Sequence, residues 1–96
     1  MPPVSIPQAF TLALEHYQVG RLAEAEALCR QILKVAPSHP EAWHQLGLIA
    51  LRAGRAELAV DWMRQALVLT PDNFAAHSNL GEAYRRMDRL DEAIAS

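Results

Sequence analysis

Residues Pro40 to Asn73 read PEAWHQLGLIALRAGRAELAVDWMRQALVLTPDN, and the chain repeats this pattern on either side. Leu46 and Gly47 recur 34 residues later as Leu80 and Gly81, and Arg55 and Ala59 recur as Arg89 and Ala93. Going backwards by the same step, Leu12 matches Leu46, Gly20 matches Gly54, Arg21 matches Arg55, Ala25 matches Ala59 and Pro37 matches Pro71. A period between about 20 and 50 residues marks one supersecondary unit stacked on copies of itself, each burying an apolar face it cannot bury alone.

Inside the unit, apolar residues recur three and four apart. Leu46, Ile49, Ala50 and Ala53 form one such row, and Ala59, Met63, Ala66 and Leu67 the next. This is the 3.6-residue period of amphipathic helices, and no segment sustains strand-like alternation. The chain is therefore read as all-α. Gly20 and Gly54 follow the first helix of their units, where a left-handed residue ends the helix and reverses the chain. Asp88 replaces that glycine in the third unit, at an expected cost of up to about 1 kcal/mol if the turn is made there too. Pro37 and Pro71 end the second helices. Ser38-His39-Pro40-Glu41 offers a capping box, and Asp72 or Asn73 is placed to cap the equivalent later helix. The spacing predicts helices over 7–19, 22–36, 41–53, 56–70, 74–87 and 90–96.

A chain of 96 residues has room for one domain with a continuous core. No window approaches the roughly 18 to 20 uninterrupted apolar residues of a membrane helix. The opening residues lack the basic cluster and apolar run of a secretory signal, so a cytoplasmic setting is expected. A single cysteine, Cys29, excludes an internal disulfide and fits a reducing compartment. Nine basic against eleven acidic residues give a net charge of −2. That is not the basic field a phosphate backbone requires, and neither nucleic acid nor membrane is expected as a partner.

With Trp43, Leu46, Gly47, Ala59, Met63, Ala66 and Pro71 in these positions, and Ala50 in a slot usually held by tyrosine, the unit resembles the tetratricopeptide repeat. The third unit carries Leu80, Gly81, Tyr84 and Ala93 at matching places. The first is the most divergent, with Ala9, Ala13, His16, Cys29 and Ile32 where tryptophan, glycine, tyrosine, phenylalanine and alanine are usual. The resemblance implies helix-turn-helix units stacked as a right-handed α-solenoid, here about two and two-thirds of them. The units run over residues 6–39, 40–73 and 74–96, as a single domain that reads as a piece of a longer array. Gly47 and Gly81 are expected to let the helices of a hairpin approach closely, with Ala59 and Ala93 as the small facing surface. Trp43, Leu46, Leu67, Leu80 and Tyr84 are expected to fill the seams. Leu90, Ala93 and Ile94 belong to a last helix only about two turns long, which predicts fraying over 90–96 or packing of the end face around Leu80, Tyr84 and Ile94 on another molecule.

Little in the sequence points to catalysis, metal or cofactor. His16, His39, His44 and His77 lack the paired spacing and companion cysteines of zinc motifs. His16 and His77 occupy slots of packing aromatics and are expected to be partly buried fillers, while His39 sits in a turn. Cys29 falls on a core slot and is expected to be inert. The glycines form no phosphate-binding loop. Glu26 and Glu82 stand four residues before Arg30 and Arg86, the spacing of surface helix pairs. Trp62 lies on a second helix and is read as a packing residue.

The resemblance further implies that the first helix of each unit lines a concave groove. By register the groove holds Phe10, Leu14 and Tyr17 from the first unit and His44, Gln45, Leu48, Leu51 and Arg52 from the second. Asn79, Glu82, Arg85 and Arg86 come from the third. The groove is apolar towards the N-terminus and polar towards the C-terminus, which suits a peptide with one apolar anchor held by Phe10, Leu14, Leu48 and Leu51. The clamp by which some family members hold chaperone C-termini is absent, since only Asn79 matches it. The stretch from Ala76 to Tyr84 also resembles repeats that precede the catalytic region of O-GlcNAc transferases, where an asparagine ladder grips peptide backbone. Asn79 fits that ladder, Gln45 imitates it and Thr11 departs from it. The expected function is a non-catalytic protein-interaction scaffold for a peptide or partner domain. The alternatives are a substrate-recruiting segment of a larger enzyme such as a glycosyltransferase, and a module that forms homo-oligomers through its exposed ends.

Overall fold

The computed structural model describes residues 4–95, with the side chains at 92, 93 and 95 outside the described set. Ala93 as the counterpart of Ala59, and Ser96, therefore lie outside the described residues. Five helices follow one another: α1 (Ile6–Gln18), α2 (Leu22–Val35), α3 (Pro40–Arg52), α4 (Ala56–Leu69) and α5 (Phe74–Ala95). No strand occurs among the described residues. α1 pairs with α2 and α3 with α4 as hairpins, while α2 packs on α3 and α4 on α5. The result is an elongated all-α helical-repeat solenoid measuring 54 × 28 × 19 Å.

The helix ends follow from local chemistry. Gly20 and Gly54 adopt φ of 84° and 78°. Behind them, Arg21 N–H donates to His16 O and Arg55 N–H to Ala50 O, each at 2.8 Å, closing the same glycine-dependent cap twice. At the other ends, Ser5 and Gln8 form a reciprocal capping box on α1. The expected cap of α3 at Ser38 is instead supplied by the next residue: His39 Nδ1 accepts the Ala42 N–H at 3.0 Å. Of the two candidates before α5, Asn73 takes the role, its Oδ1 accepting the Ala76 N–H at 3.0 Å.

The third unit departs from expectation. The predicted break near Asp88 is absent, and α5 runs unbroken for 22 residues. No non-glycine residue takes a positive φ among the described residues. An aspartate there would have to accept the left-handed conformation at a cost of up to about 1 kcal/mol, whereas helical propagation through position 88 avoids it. Three consequences follow. Residues 90–95 extend α5 rather than form a short separate helix, leaving Leu90 and Ile94 exposed. Tyr84, expected in a seam, is 38% exposed and its hydroxyl accepts from Arg64 Nη2 at 2.6 Å. Gly81 faces no second helix: a Cβ there would meet only Arg85 Nη1 at 3.8 Å, whereas a Cβ on Gly47 would lie 2.6 Å from Met63 Cε.

Leu46, Ile49, Met63 and Cys29 are the largest fully buried side chains. Trp43, Leu67 and Leu80 pack half-buried against the same cluster, as expected of seam residues. Register alone does not decide burial, however: Leu12 is 38% exposed where its counterpart Leu46 is 1% exposed. His16 is half-buried as a filler, but His77 is exposed, correcting that expectation. Its ring still repeats its counterpart's bond: Trp43 Nε1 donates to Pro37 O at 2.9 Å and His77 Nε2 to Pro71 O at 2.8 Å. No described helix is long and apolar enough to cross a membrane.

Candidate functional site on the first-helix face

The first helices α1, α3 and α5 touch in succession and form one layer, with α2 and α4 forming the other. Side chains reaching from one first helix to the next hold this layer together. Arg52 Nη1 donates to Tyr17 O, with its guanidinium 5.0 Å from the Tyr17 ring centroid. One unit on, Arg86 Nη1 donates to Leu51 O at 2.6 Å. Arg52 and Arg86 are 34 residues apart, as are their acceptors. Each arginine thus adds a second donor to a carbonyl in the last turn of the preceding first helix, which already accepts the N–H of Gly20 or Gly54, and the negative end of the dipole there favours a cation. Both arginines, expected in the groove as ligand residues, instead turn back to the preceding helix. The signal was present in their shared register.

Asn79 Nδ2 lies 3.2 Å from His44 Nε2, so the asparagine expected to fit a backbone-gripping ladder is held by a neighbouring histidine. Burial lowers the pKa of His44 below its ordinary value, which keeps the ring neutral and able to accept. The corresponding pair one unit earlier is Gln45 and Phe10. Phenylalanine offers no acceptor, and the Gln45 Nε2 is buried without a hydrogen-bond partner. Thr11 bonds within its own helix, Oγ1 donating to Pro7 O at 3.0 Å.

The remaining groove candidates divide by exposure. Phe10, Leu14, Tyr17, His44 and Leu48 are half-buried on this face, and Glu82 is half-buried between Arg85 and Arg86. Leu51 is 6% exposed and Gln45 5%, so neither offers a surface to a ligand. Phe10 is tilted against the His39 ring, 5.5 Å between centroids, and packs on the cluster of Ala9, Ile32 and Ala42. Glu82 accepts from Arg85 Nη2 at 2.8 Å and Arg86 Nε at 3.1 Å. These bonds lower its pKa. The surface pair Glu26 and Arg30 forms as expected, at 2.9 Å.

The other candidates are structural. Burial, reinforced by the Glu26 charge, pushes the Cys29 thiol up to about 12, so it stays a protonated core group. Trp62 is buried, as read from its position. Among the described residues, no group of three or more His, Cys, Asp and Glu is arranged to hold a metal ion.

Comparison with known proteins agrees with this architecture. Tetratricopeptide repeat models match residues 10–74 and 62–95. The chain belongs to the tetratricopeptide repeat family. The mouse Protein O-mannosyl-transferase TMTC3 is 33% identical to this tetratricopeptide chain over 64 residues, covering 67% of it and 7% of TMTC3. Among solved structures, a MamA mutant is 27% identical with a TM-score of 0.80, covering 97% of this chain and 68% of that one. An O-GlcNAc transferase mutant from Thermobaculum terrenum is 30% identical with a TM-score of 0.79, covering 94% of this chain and 19% of that one. This tetratricopeptide segment spans 7% of the length of the curated relatives it matches.

Proposed function

We propose that this chain is a non-catalytic protein-interaction module that holds an extended or helical peptide across its first-helix face. The observation that carries the reading is the half-exposure of Phe10, Leu14 and Leu48 on that face, while Leu46, Ile49 and Leu51 of the same layer are buried. These three form the apolar anchor, with Tyr17 beside them, and the His44–Asn79 pair supplies a fixed polar edge beyond. Arg52, Arg86 and Glu82 shape the face without contacting the ligand, and Arg85 is the exposed cation nearest an acidic ligand group. Peptides selected by display against the chain provide the test. Leu48→Asp should weaken their binding about tenfold or more, since the charge must be desolvated, and Asn79→Ala should weaken it less, both with helicity unchanged. Binding that survives both substitutions would place the ligand elsewhere.

A second reading, substrate recruitment within a larger enzyme, is favoured by the transferases among the relatives and structural neighbours. It predicts that the selected peptides are substrates of a transferase encoded with this segment. Homo-oligomer formation is favoured by the exposed Leu90 and Ile94, and concentration-dependent light scattering tests it.

A further inference from the structure

The layer of second helices carries its own cavity, about 340 Å³, between α2, α3 and α4, lined by Arg30, Leu33, Lys34, Trp43, Leu46 and Trp62. It lies away from the groove. On α3, positions 43 and 46 share one helical face and positions 44 and 48 the opposite one. Both tryptophans of the chain line this cavity. Each is fixed: Trp43 by its bond to Pro37 O, and Trp62 by burial beneath the Arg30 guanidinium, 5.3 Å from its ring centroid. The rim is basic. Arg30 is held by Glu26, but Lys34, one turn further along α2, takes part in no ion pair among the described residues. The exposed ammonium of Lys34 therefore stands beside the half-buried Trp43 ring, in a chain whose net charge is −2.

We infer that this cavity is a second docking site, and that it takes an acidic peptide segment in which a carboxylate flanks an aromatic or large aliphatic side chain. The apolar side chain lies against Trp43 and Leu33, and the carboxylate accepts from Lys34 Nζ. Charge complementarity selects the acid, because Lys34 gains a partner without taking Arg30 from Glu26. Two rim cations are too few for a phosphate backbone, whose binding grows with the number of phosphates neutralised. A cavity of this volume falls at the small end of ligand sites, which suits one side chain and its neighbour. The site is independent of the groove reading, since they share no residue.

Because Trp43 and Trp62 both line the cavity, their indole N–H resonances report on it. Acetyl-Asp-Phe-Glu-amide and its neutral counterpart acetyl-Asn-Phe-Gln-amide are titrated into the full chain. The acidic peptide should shift both indole signals saturably, and the neutral one should bind about tenfold more weakly. Lys34→Met should weaken the acidic peptide about three- to tenfold, because an exposed ion pair is partly screened. Leu48→Asp should leave it unchanged. Equal responses to the two peptides, an absence of saturable indole shifts, or wild-type affinity in Lys34→Met would overturn the assignment. So would shifts centred on His44 and Asn79, or displacement of the peptide by a single-stranded oligonucleotide.

Discussion

Gly47 and Gly81 occupy the same place in the repeat, yet alanine should stabilise the chain only at Gly81. A Cβ at Gly47 would lie 2.6, 2.7 and 2.8 Å from Met63 Cε, Sδ and Cγ, all inside van der Waals contact. Met63 is fully buried and cannot swing into solvent. Overpacking of this kind costs about 1–3 kcal/mol, against a gain of about 1 kcal/mol from replacing glycine inside a helix. Gly47→Ala should thus range from neutral to about 2 kcal/mol destabilising. At Gly81 the added methyl meets only Arg85 Nη1 at 3.8 Å, so the propensity gain stands alone and Gly81→Ala should stabilise by about 1 kcal/mol. The two variants should differ by about 1–3 kcal/mol in urea unfolding followed by far-ultraviolet circular dichroism. The contrast probes α5 directly. Had the chain turned at Asp88 and laid a second helix across Gly81, both substitutions would clash. A destabilised Gly81→Ala would refute the unbroken α5 and the packing argument built on it.

Two further outcomes are expected. Replacing Arg52 by Met removes both the bond to Tyr17 O and the stacking on its ring, and should lower stability by about 0.5–1.5 kcal/mol in the same unfolding assay, discounted because the side chain is exposed. Cys29 sets a pH dependence: its folded pKa, about 12, lies above the ordinary 9.0, so the stability it contributes is intact below pH 9.0 and lost as pH rises from there through about 12. Stability measured across this alkaline window should fall less steeply in Cys29→Ala than in the parent chain.

Much of the fold was legible because helical patterning and a 34-residue period reinforce each other over almost the whole chain. Gly20, Gly54, Pro37 and Pro71 marked real helix ends, because left-handed turns and missing N–H groups are properties of single residues. Where the reading failed, the cause was a neighbour. Asp88 stood in the glycine register, but register does not supply the conformational freedom of glycine, so α5 continued and Tyr84 lost its covering helix. His39 displaced Ser38 as a cap because an imidazole nitrogen is also an acceptor at the right distance. On the first-helix face, positions were readable and occupancy was not. Leu51 and Gln45 follow the groove register yet are buried, and Arg52 and Arg86 turn back to the preceding helix. These outcomes depend on what lies one unit away, through contacts separated by 35 residues in sequence.

The first-helix face is proposed to be the surface that receives a peptide. Its most direct test is a nitrogen–proton chemical-shift map of the chain titrated with a display-selected peptide. Saturable shifts should cluster on Phe10, Leu14, His44, Leu48 and Asn79, spanning all three first helices. Shifts confined to the exposed second-helix positions Val35 and Val68, or to the exposed end at Leu90 and Ile94, would contradict it.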